Sequence, residues 1–463
     1  MLIDEITKYL SHHKIAILGF GLEGHSTYRF LRRLFPQKEI ALADKDDTKL
    51  YDFITQSDDK RLVAHGGDNY LAEVAQNGYT LVFKSPGIPL KDIEKYIPQD
   101  HIESQAGLFL KLYKRRIIGI TGTKGKSTTA NLIYETMKAQ GFDVVAVGNM
   151  GKPVLDLVFE DVPNRWYVFE MSSHMLETVS ESPRFAVLLN IYEEHLDHYR
   201  SFSEYAEAKL NLVRYQTKND FAVFSKNVLE FCGNIPGAGT PLLFDEVLQS
   251  DSQGVFIQDG RIVFQYLGNP IDICSKNLDR KLLGQHNLLN IMACLTILKA
   301  LNVENLENAL KAISEFKGLE HRMELVGEFS GITFYNDSIS TIPQAAICAV
   351  NAIGNVDTLI IGGMDRGIDY SELINFIALG SIRNVICLPN TGHMIHQRLK
   401  QRNGPLTINI LDVYEMKSAV EEAFKVTKKG SVCILSPAAA SYGFYKNFEE
   451  RGKVFKNLVR AHE

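Results

Sequence analysis

The stretch GITGTKGKSTTANLIYETM, residues 119–137, decides how the central part of this chain folds. An apolar run at 117–120 ends in small residues, and the glycine-rich segment 122–127 then leads into a helical pattern. Glycines let backbone N–H groups close around phosphate oxygens, and the start of a helix adds a positive end. The stretch predicts a strand, a phosphate-binding loop and a helix, although Ile120 stands where the full Walker pattern has glycine.

Side chains at the start of this helix suit a magnesium–nucleotide site. Lys126 is placed to reach the β- and γ-phosphates, and the Ser127 hydroxyl to bind Mg²⁺. Such a site needs further oxygen ligands. Glu170 ends the strand pattern at 166–171, and the segment 194–197, with Glu194, His195 and Asp197, follows the next strand pattern. Singly each is explained by a solvated loop charge, but together they are candidate ligands.

On both sides of this stretch, strand-like and helix-like segments alternate along the chain. This alternation predicts an α/β protein with parallel sheets covered by helices. Hairpins are predicted at 254–267, turning at Asp259-Gly260, and at 324–337, turning near Ser330-Gly331. Boundaries near 110 and 317 predict three domains. The apolar strand patterns lie at 14–20, 39–43, 80–84, 116–121, 143–148, 166–171, 185–190, 357–363, 384–389 and 431–436.

A second glycine cluster, GFGLEG at 19–24, follows the first strand pattern and opens a helix. Asp44 lies twenty residues beyond Gly24, at the end of the next strand, so the pattern matches the dinucleotide-binding fingerprint. Such a turn offers N–H groups and a helix end to any diphosphate, including that of a UDP-sugar. The turn KSPGIPL at 84–90 should lie at the same edge of the sheet.

Composition excludes several classes of protein. The net charge of −5 over 463 residues is spread along the chain, so nothing indicates nucleic acid or a membrane surface as partner. The start MLIDEITKYL lacks the pattern of a signal peptide, and no apolar run has the length of a membrane span. Six well-separated cysteines are typical of reduced thiols, and we expect a cytoplasmic protein.

Seven motifs occur in the order and spacing of the Mur ligases, and the chain resembles that family over nearly its whole length. These motifs are GTKGKST, EMSSHMLE, NIYEEHLDHY followed by EAK, GQHNLLN, GLEHRME, NDS and LSPAAASYGFYKNFEERG. The resemblance implies an ATP-dependent ligase that adds D-glutamate to UDP-N-acetylmuramoyl-L-alanine through an acyl phosphate, in peptidoglycan precursor synthesis. It implies a Rossmann-like UDP-binding domain at 1–110, a central P-loop domain at 111–317 and a Rossmann-like amino-acid-binding domain at 318–463.

The resemblance also implies cofactors, partners and site residues. It implies ATP, Mg²⁺ at two sites, a carbamylated Lys209 and small-molecule substrates. We also expect a monomer, although the sequence does not determine the oligomeric state. The implied ATP contacts are Gly122, Thr123, Lys124, Gly125, Lys126, Ser127, Thr128, Asn287, Asn290, Arg322 and Asp337. The implied UDP-substrate contacts are Gly21, Leu22, Glu23, Asp44, Lys45, Ser85, Gly87, Asn149 and His195. The implied contacts of the amino-acid pocket are Thr341, Arg366, Ser441 and Phe448. The implied metal ligands are Ser127, Glu170, His195 and Lys209. The implied catalytic groups are Lys126, Lys209, His195 and Glu170.

Four departures from the family pattern keep alternatives open. Ile339 stands where the family has lysine, Arg366 where lysine is frequent, Lys124 where asparagine is common, and HM at 174–175 where FQ is common. The lost charge at Ile339 leaves L-glutamate or another amino acid as an alternative acceptor. It also leaves open a nucleotide-gated binder without catalysis. The GFGLEG turn alone predicts an NAD-dependent oxidoreductase, which would leave the phosphate loop unexplained.

Overall fold

A computed structural model describes residues 2–148, 153–160, 162–195, 198–247, 252–268, 270–282, 284–402 and 408–462. The chain divides into two compact units, Met1–Glu315 and Phe316–Glu463. Among the described residues, the first unit contains two sheets and the second unit contains one. The α/β class with mainly parallel sheets is confirmed. The three domain ranges stay predictions.

The first sheet is parallel and, within the described residues, has the strand order β3-β2-β1-β4-β5. Its strands β1 and β4 are neighbours, so the turns that follow them lie at one edge of the sheet. The proposed domain border near 110 falls inside α6. The elements are α1 (Leu2–Ser11), β1 (Ile15–Leu18), α2 (Leu22–Leu34), β2 (Ile40–Asp44), α3 (Asp47–Gln56), β3 (Leu62–Gly66), α4 (Tyr70–Gln76), β4 (Leu81–Lys84), α5 (Leu90–Ile93), β5 (Ile102–Glu103) and α6 (Gln105–Tyr113).

The second sheet has the order β14-β13-β12-β11-β10-β9-β6-β8-β7 in the described part of the chain. It is parallel from β7 to β12, and the hairpin β12–β13 and strand β14 continue it antiparallel. The elements are β6 (Ile117–Thr121), α7 (Lys126–Ala139), β7 (Val144–Gly148), β8 (Trp166–Glu170), α8 (Ser173–Leu176), β9 (Phe185–Leu188), α9 (Phe202–Arg214), β10 (Phe221–Ser225), α10 (Lys226–Cys232), β11 (Thr240–Asp245), β12 (Gly254–Gln258), β13 (Arg261–Gln265), β14 (Ile271–Ser275), α11 (Gln285–Ala300) and α12 (Glu307–Glu315).

The third sheet, in the second unit, has the order β15-β16-β20-β17-β18-β19 among the described residues. Only the hairpin pair β15–β16 in this order is antiparallel. The elements are β15 (Glu324–Phe329), β16 (Ile332–Asn336), α13 (Pro343–Ile353), β17 (Val356–Gly363), α14 (Ser371–Leu379), β18 (Asn384–Asn390), α15 (Thr391–Lys400), β19 (Asn409–Asp412), α16 (Met416–Val426), β20 (Val432–Leu435) and α17 (Phe448–Ala461).

Strand β6 is central to the second sheet because it is apolar on both faces. All five of its residues are buried, as expected for a parallel strand covered by helices on each side. It pairs with β8 and β9, so the segments after these three strands meet at one edge. That edge carries the phosphate loop, the segment after Glu170 and the segment before His195. Among the described residues, no helix is both long and apolar enough to cross a membrane.

Candidate active site

The phosphate loop at 122–125 is held by the segment that follows β9. Asn190 accepts hydrogen bonds from two loop N–H groups, that of Thr123 at its carbonyl (2.9 Å) and that of Lys124 at its side chain (2.8 Å). The Thr123 hydroxyl contacts the Tyr205 hydroxyl at 2.9 Å. Gly125 has a φ of +87°, and a Cβ there would lie 2.8 Å from Oδ1 of Asn290. The loop therefore requires glycine at this position.

Two lysines converge on the loop. Lys126 Nζ donates to the carbonyl oxygens of Gly122 (2.9 Å) and Thr123 (3.0 Å). Lys209, on α9, donates to the same Gly122 oxygen at 2.9 Å, and its Nζ lies 4.6 Å from the centre of the Tyr205 ring. Lys209 is only 2% exposed. Burial lowers the pKa of Lys209 well below its ordinary value, and the positive charge of Lys126 lowers it further.

A hydroxyl and a carboxylate lie side by side beyond the loop. Ser127, in the first turn of α7, donates to Oε1 of Glu170 at 3.0 Å, and both residues are buried. This pair of oxygen donors fits Mg²⁺, which prefers hard oxygen ligands. Asn290 donates to the side chain of Asn287 at 3.1 Å, so the two asparagines share a face of α11.

The segment after β9 brings His195 to the same region. His195 has a φ of +60°, which is uncommon for a residue other than glycine. Its neighbour Glu194 pairs with Lys124 at 2.5 Å, so this carboxylate is bound to the loop lysine. The predicted residues Asp197 and Asn149 lie outside the described residues.

The amine of Lys209 does not fit a magnesium site as it stands, because Mg²⁺ prefers oxygen ligands and a lysine side chain has none. A carbamate at this position would supply oxygen atoms instead. In the part of the chain that the structure describes, no group of three or more His, Cys, Asp and Glu side chains is arranged to hold a metal ion. Ser127 and Glu170 are therefore the donor pair that the described geometry supports.

The two turns of the first sheet contact each other. The Ser85 hydroxyl donates to the carbonyl of Gly19 at 2.9 Å. Asp44 accepts hydrogen bonds from the backbone N–H of Phe20 (2.6 Å) and that of Asp46 (2.9 Å). Asp44, the acid of the dinucleotide fingerprint, thus stabilises the conformation of the glycine turn by hydrogen bonding. A Cβ at Gly24 would lie 2.2 Å from the Gly19 carbonyl oxygen, so α2 needs glycine to pack this closely.

The other predicted residues of this edge differ in exposure. Gly21 and Leu22 are exposed, with Leu22 83% accessible, and Lys45 pairs with Asp68 at the surface, 3.5 Å apart. The space around Gly87 is open. Burial raises the pKa of Glu23 to about 7, and the positive charge of Lys84 opposes that shift.

The predicted amino-acid pocket lies at one edge of the third sheet. Arg366 donates to the carbonyl of Thr341 at 2.9 Å. Met364, two residues earlier, forms a β-bridge with Ala440, which precedes Ser441. Ser441 lines a small cavity of about 30 Å³ together with Arg451. Phe448 begins α17, and its carbonyl accepts from the Ser338 hydroxyl at 2.7 Å.

The predicted nucleotide contacts of the second unit are neighbours. Asp337 is buried and accepts from the N–H of Met323 (3.1 Å) and the hydroxyl of Ser436 (2.7 Å). Burial raises the pKa of Asp337 to about 6, and the nearby charge of Arg322 opposes the shift. Arg322 itself is half-buried.

Sequence reasoning missed several residues that build these sites. Asn190 and Tyr205 hold the phosphate loop, although neither belongs to the loop motif. Lys84 and Glu177 form a buried ion pair between the first and second sheets. The sequence signal that could have indicated this pair is the lysine that ends the apolar pattern LVFK. Because the end of a buried strand is itself buried, an ammonium group there needs a partner of opposite charge.

Comparison with known proteins decides the family. A model of the Mur ligase middle domain matches residues 120–298. Two relatives named UDP-N-acetylmuramoylalanine–D-glutamate ligase, from Geobacillus kaustophilus and Acetivibrio thermocellus, are each 32% identical to the chain. The first alignment covers 98% of both chains; the second covers 100% of this chain and 99% of the relative. The chain belongs to the Mur ligase family.

Solved structures show that this Mur ligase shares the family fold. The UDP-N-acetylmuramate–alanine ligase MurC of Thermotoga maritima has a TM-score of 0.54 and 18% identity, covering 98% of this chain and all of that one. MurF of the same organism, in complex with ADP, has a TM-score of 0.52 and 18% identity, covering 85% of this chain and 92% of that one. The alignment with MurC shows that the fold is shared along nearly the whole chain.

Proposed function

We propose that this Mur ligase uses ATP to join the carboxylate of UDP-N-acetylmuramoyl-L-alanine to the amine of D-glutamate. The observation that carries the proposal is the loop at 122–125, with Lys126 beside it and Ser127 next to Glu170. The name of the relatives, which match the chain along its length, supports this substrate and acceptor. We further propose that the enzyme acts in the cytoplasm as a monomer on small molecules.

The reaction consists of two group transfers. A carboxylate oxygen of the UDP-linked substrate attacks the γ-phosphorus of ATP, so an O–P bond forms while the bond to ADP breaks. The neutral amine of glutamate then attacks the acyl carbon, phosphate leaves, and the nitrogen loses a proton to give the amide. A carboxylate is a poor electrophile until one oxygen becomes a good leaving group, which is what ATP provides.

Lys126 is the group best placed to stabilise the first transfer. Its ammonium donates to two loop carbonyls, which places it beside the loop that would hold the phosphates of ATP. The loop N–H groups and the start of α7 add positive potential where charge develops. In this proposal the phosphates are held by Gly122, Thr123, Lys124, Gly125 and Thr128. The adenine, the ribose or the phosphates are contacted by Asn287, Asn290, Arg322 and Asp337.

Mg²⁺ would be held by Ser127 and Glu170, with His195 and Lys209 serving a second ion. The metal would neutralise charge on the transferring phosphoryl group. Lys209 fits this role after carbamylation, in which the neutral amine adds to CO₂, forms an N–C bond and releases a proton. Its buried position and lowered pKa supply the neutral amine that this reaction needs.

The UDP end of the substrate is proposed to bind at the edge of the first sheet. The contacts assigned to the UDP moiety there are Gly21, Leu22, Glu23, Asp44, Lys45, Ser85 and Gly87. The sugar–peptide part of the substrate is assigned to Asn149 and His195. Gly87 leaves open space at this edge, and Leu22 exposes an apolar surface for a base. The glycine turn braced by Asp44 offers its N–H groups to the diphosphate.

The acceptor is proposed to bind near Arg366, with Thr341, Ser441 and Phe448. A guanidinium group binds a carboxylate with two parallel hydrogen bonds, so Arg366 suits the side chain of glutamate. Its present bond to the Thr341 carbonyl fixes the guanidinium on this edge of the sheet. Ile339 contributes no charge here, which makes Arg366 the principal cation of the assigned set.

The test is release of phosphate and ADP from ATP, Mg²⁺ and UDP-N-acetylmuramoyl-L-alanine, with D-glutamate, L-glutamate and other amino acids in parallel. We expect turnover that depends on both the UDP-linked substrate and D-glutamate. Turnover with L-glutamate alone would revise the acceptor. Absence of phosphate release with every amino acid would reject the ligase and favour a nucleotide-gated binder.

A further inference from the structure

Lys84 forms an ion pair that joins the two sheets of the first unit. Lys84 is the last residue of β4, and its Nζ lies 2.8 Å from Oε2 of Glu177, which directly follows α8. The two side chains are only 1% and 4% exposed. The reaction proposed above assigns no role to either residue.

The pair lies between two groups of proposed substrate contacts. On the side of the first sheet, Ser85 and Gly87 follow Lys84 directly along the chain, and the charge of Glu23 acts on Lys84. On the side of the second sheet, Glu177 accepts a hydrogen bond of 2.6 Å from Nε2 of His198.

A chain of imidazole rings extends the pair towards the reaction site. The His198 ring lies 4.0 Å from that of His174, and the His174 ring meets that of His195 edge-on at 5.0 Å. His174 is one of the departures from the family pattern. A continuous run of contacts therefore connects the loop after β4 with the segment that carries His195.

Such a pair is a costly way to gain stability alone. Taking two charges out of water carries a large desolvation penalty, and apolar residues of similar size often serve stability equally well. What an ion pair adds is a defined geometry, since it holds two groups at one distance and orientation. Between Lys84 and Glu177 that geometry fixes the edge of the first sheet relative to the edge of the second.

We propose that Lys84 is a positioning residue: its ion pair with Glu177 sets the span between the site for the nucleotide end of the substrate and the site where its carboxylate reacts. This inference rests on the proposed function, in which one substrate is held at both edges. Because a misplacement of about 1 Å can cost about 100-fold in rate, loss of the pair should affect the chemical step most.

The test compares Lys84→Met with a matched control, Lys111→Met. Lys111 pairs with Glu103 at 2.5 Å in the same unit and touches none of the proposed sites. Lys111→Met therefore makes the same chemical change at an ion pair outside the proposed sites. We expect Lys84→Met to lower kcat about 10- to 100-fold, with little change in the KM for ATP. Lys111→Met should stay within about threefold of the wild type in kcat, as expected for a site with no part in the reaction.

A double variant separates positioning from stability. Lys84→Met with Glu177→Gln removes both charges but keeps a side-chain oxygen for His198, and it should recover the melting temperature lost in Lys84→Met because no buried charge is left unpaired. The inference requires that kcat stay low in the double variant. Recovery of kcat together with the melting temperature would overturn it and leave the pair a purely structural role.

Binding calorimetry tests the inference without turnover. The wild type should bind UDP-N-acetylmuramoyl-L-alanine more tightly than UDP, and Lys84→Met should lose that difference while its affinity for UDP is kept. An equal loss of affinity for both ligands would overturn the positioning role. If the wild type and Lys84→Met differ in binding in this way but the wild type releases no phosphate with any amino acid, the proposed reaction fails, while Lys84 still positions the UDP-linked ligand across the two edges.

Discussion

Lys126 and Lys209 donate to one and the same acceptor, the carbonyl oxygen of Gly122, each at 2.9 Å. The two residues are far apart in sequence and lie on different helices, α7 and α9. Two ammonium groups on one oxygen repel each other, and Lys209 is also buried. Both effects favour the neutral form of Lys209, with burial the larger, and hence its reaction with CO₂.

The first prediction is that Lys209 carries a carbamate. Carbon-13 NMR of the protein in ¹³C-bicarbonate should show a carbamate signal that is absent in Lys209→Ala. That variant should lose activity and regain part of it with short carboxylates such as acetate, which replace the missing oxygens. An unchanged spectrum in Lys209→Ala, or a fully active variant that still depends on Mg²⁺, would contradict the prediction.

The second prediction concerns Lys126. Replacement by alanine should lower turnover on the order of 100- to 1,000-fold or more, because one preorganised cation at the developing charge is lost. Affinity for the UDP-linked substrate should stay nearly unchanged, since its proposed nucleotide site is on the first sheet. Phosphate release and calorimetry measure the two quantities separately.

The control for Lys126 is Lys138→Ala on the same helix. Lys138 is exposed in the last turn of α7, so its removal makes the same change of charge away from the loop. It should leave turnover within about twofold of the wild type, as surface substitutions usually do. Parallel loss of substrate affinity and turnover in Lys126→Ala would argue against separate sites on the two sheets.

The local patterns of the sequence predict much of this fold. The hairpin turns at Asp259-Gly260 and Ser330-Gly331 are found, and all four residues have a positive φ, as the turn chemistry requires. The loop and helix at Lys126 follow from small residues beside an apolar strand. Strand β10 is not among the predicted strands, since its apolar run is short and flanked by polar residues.

The parts that could not be predicted depend on contacts between distant segments. Asn190 reaches the loop from 66 residues away, and Tyr205 from 82. The pairing of Lys84 with Glu177 depends on how two sheets pack together, which neither strand pattern encodes. Residue periodicity reports which face of an element is buried, but not which residue of another element it will meet.

The third prediction decides between UDP and NAD at the glycine turn. Both carboxylate oxygens of Asp44 accept backbone N–H groups, so the acid of the fingerprint stabilises the turn and does not by itself select NAD. We expect UDP to raise the melting temperature at micromolar to millimolar concentration and NADH to leave it unchanged. Stabilisation by NADH at lower concentration than by UDP would revive the oxidoreductase interpretation.

Asp337 gives the second unit a stability that depends on pH. Its side chain is 2% exposed and faces the Ser340 and Ser436 side chains, the N–H of Met323 and the charge of Arg322. Burial nevertheless dominates and raises its pKa from 3.8 to about 6. The folded state therefore binds this proton more tightly than the unfolded state does.

The fourth prediction follows from the sign of that shift. The contribution of Asp337 to folding is fully present below about pH 4 and is lost as the pH rises through about 6, a change of about 3 kcal/mol at 1.36 kcal/mol per pKa unit. Asp337→Asn keeps an acceptor for Met323 and a partner for Ser436 but carries no charge. Relative to the wild type it should become more stable between pH 4 and pH 7, measured by urea unfolding of the full chain at each pH. A difference between the two proteins that stays constant across this range would show that Asp337 does not bind the proton more tightly when folded.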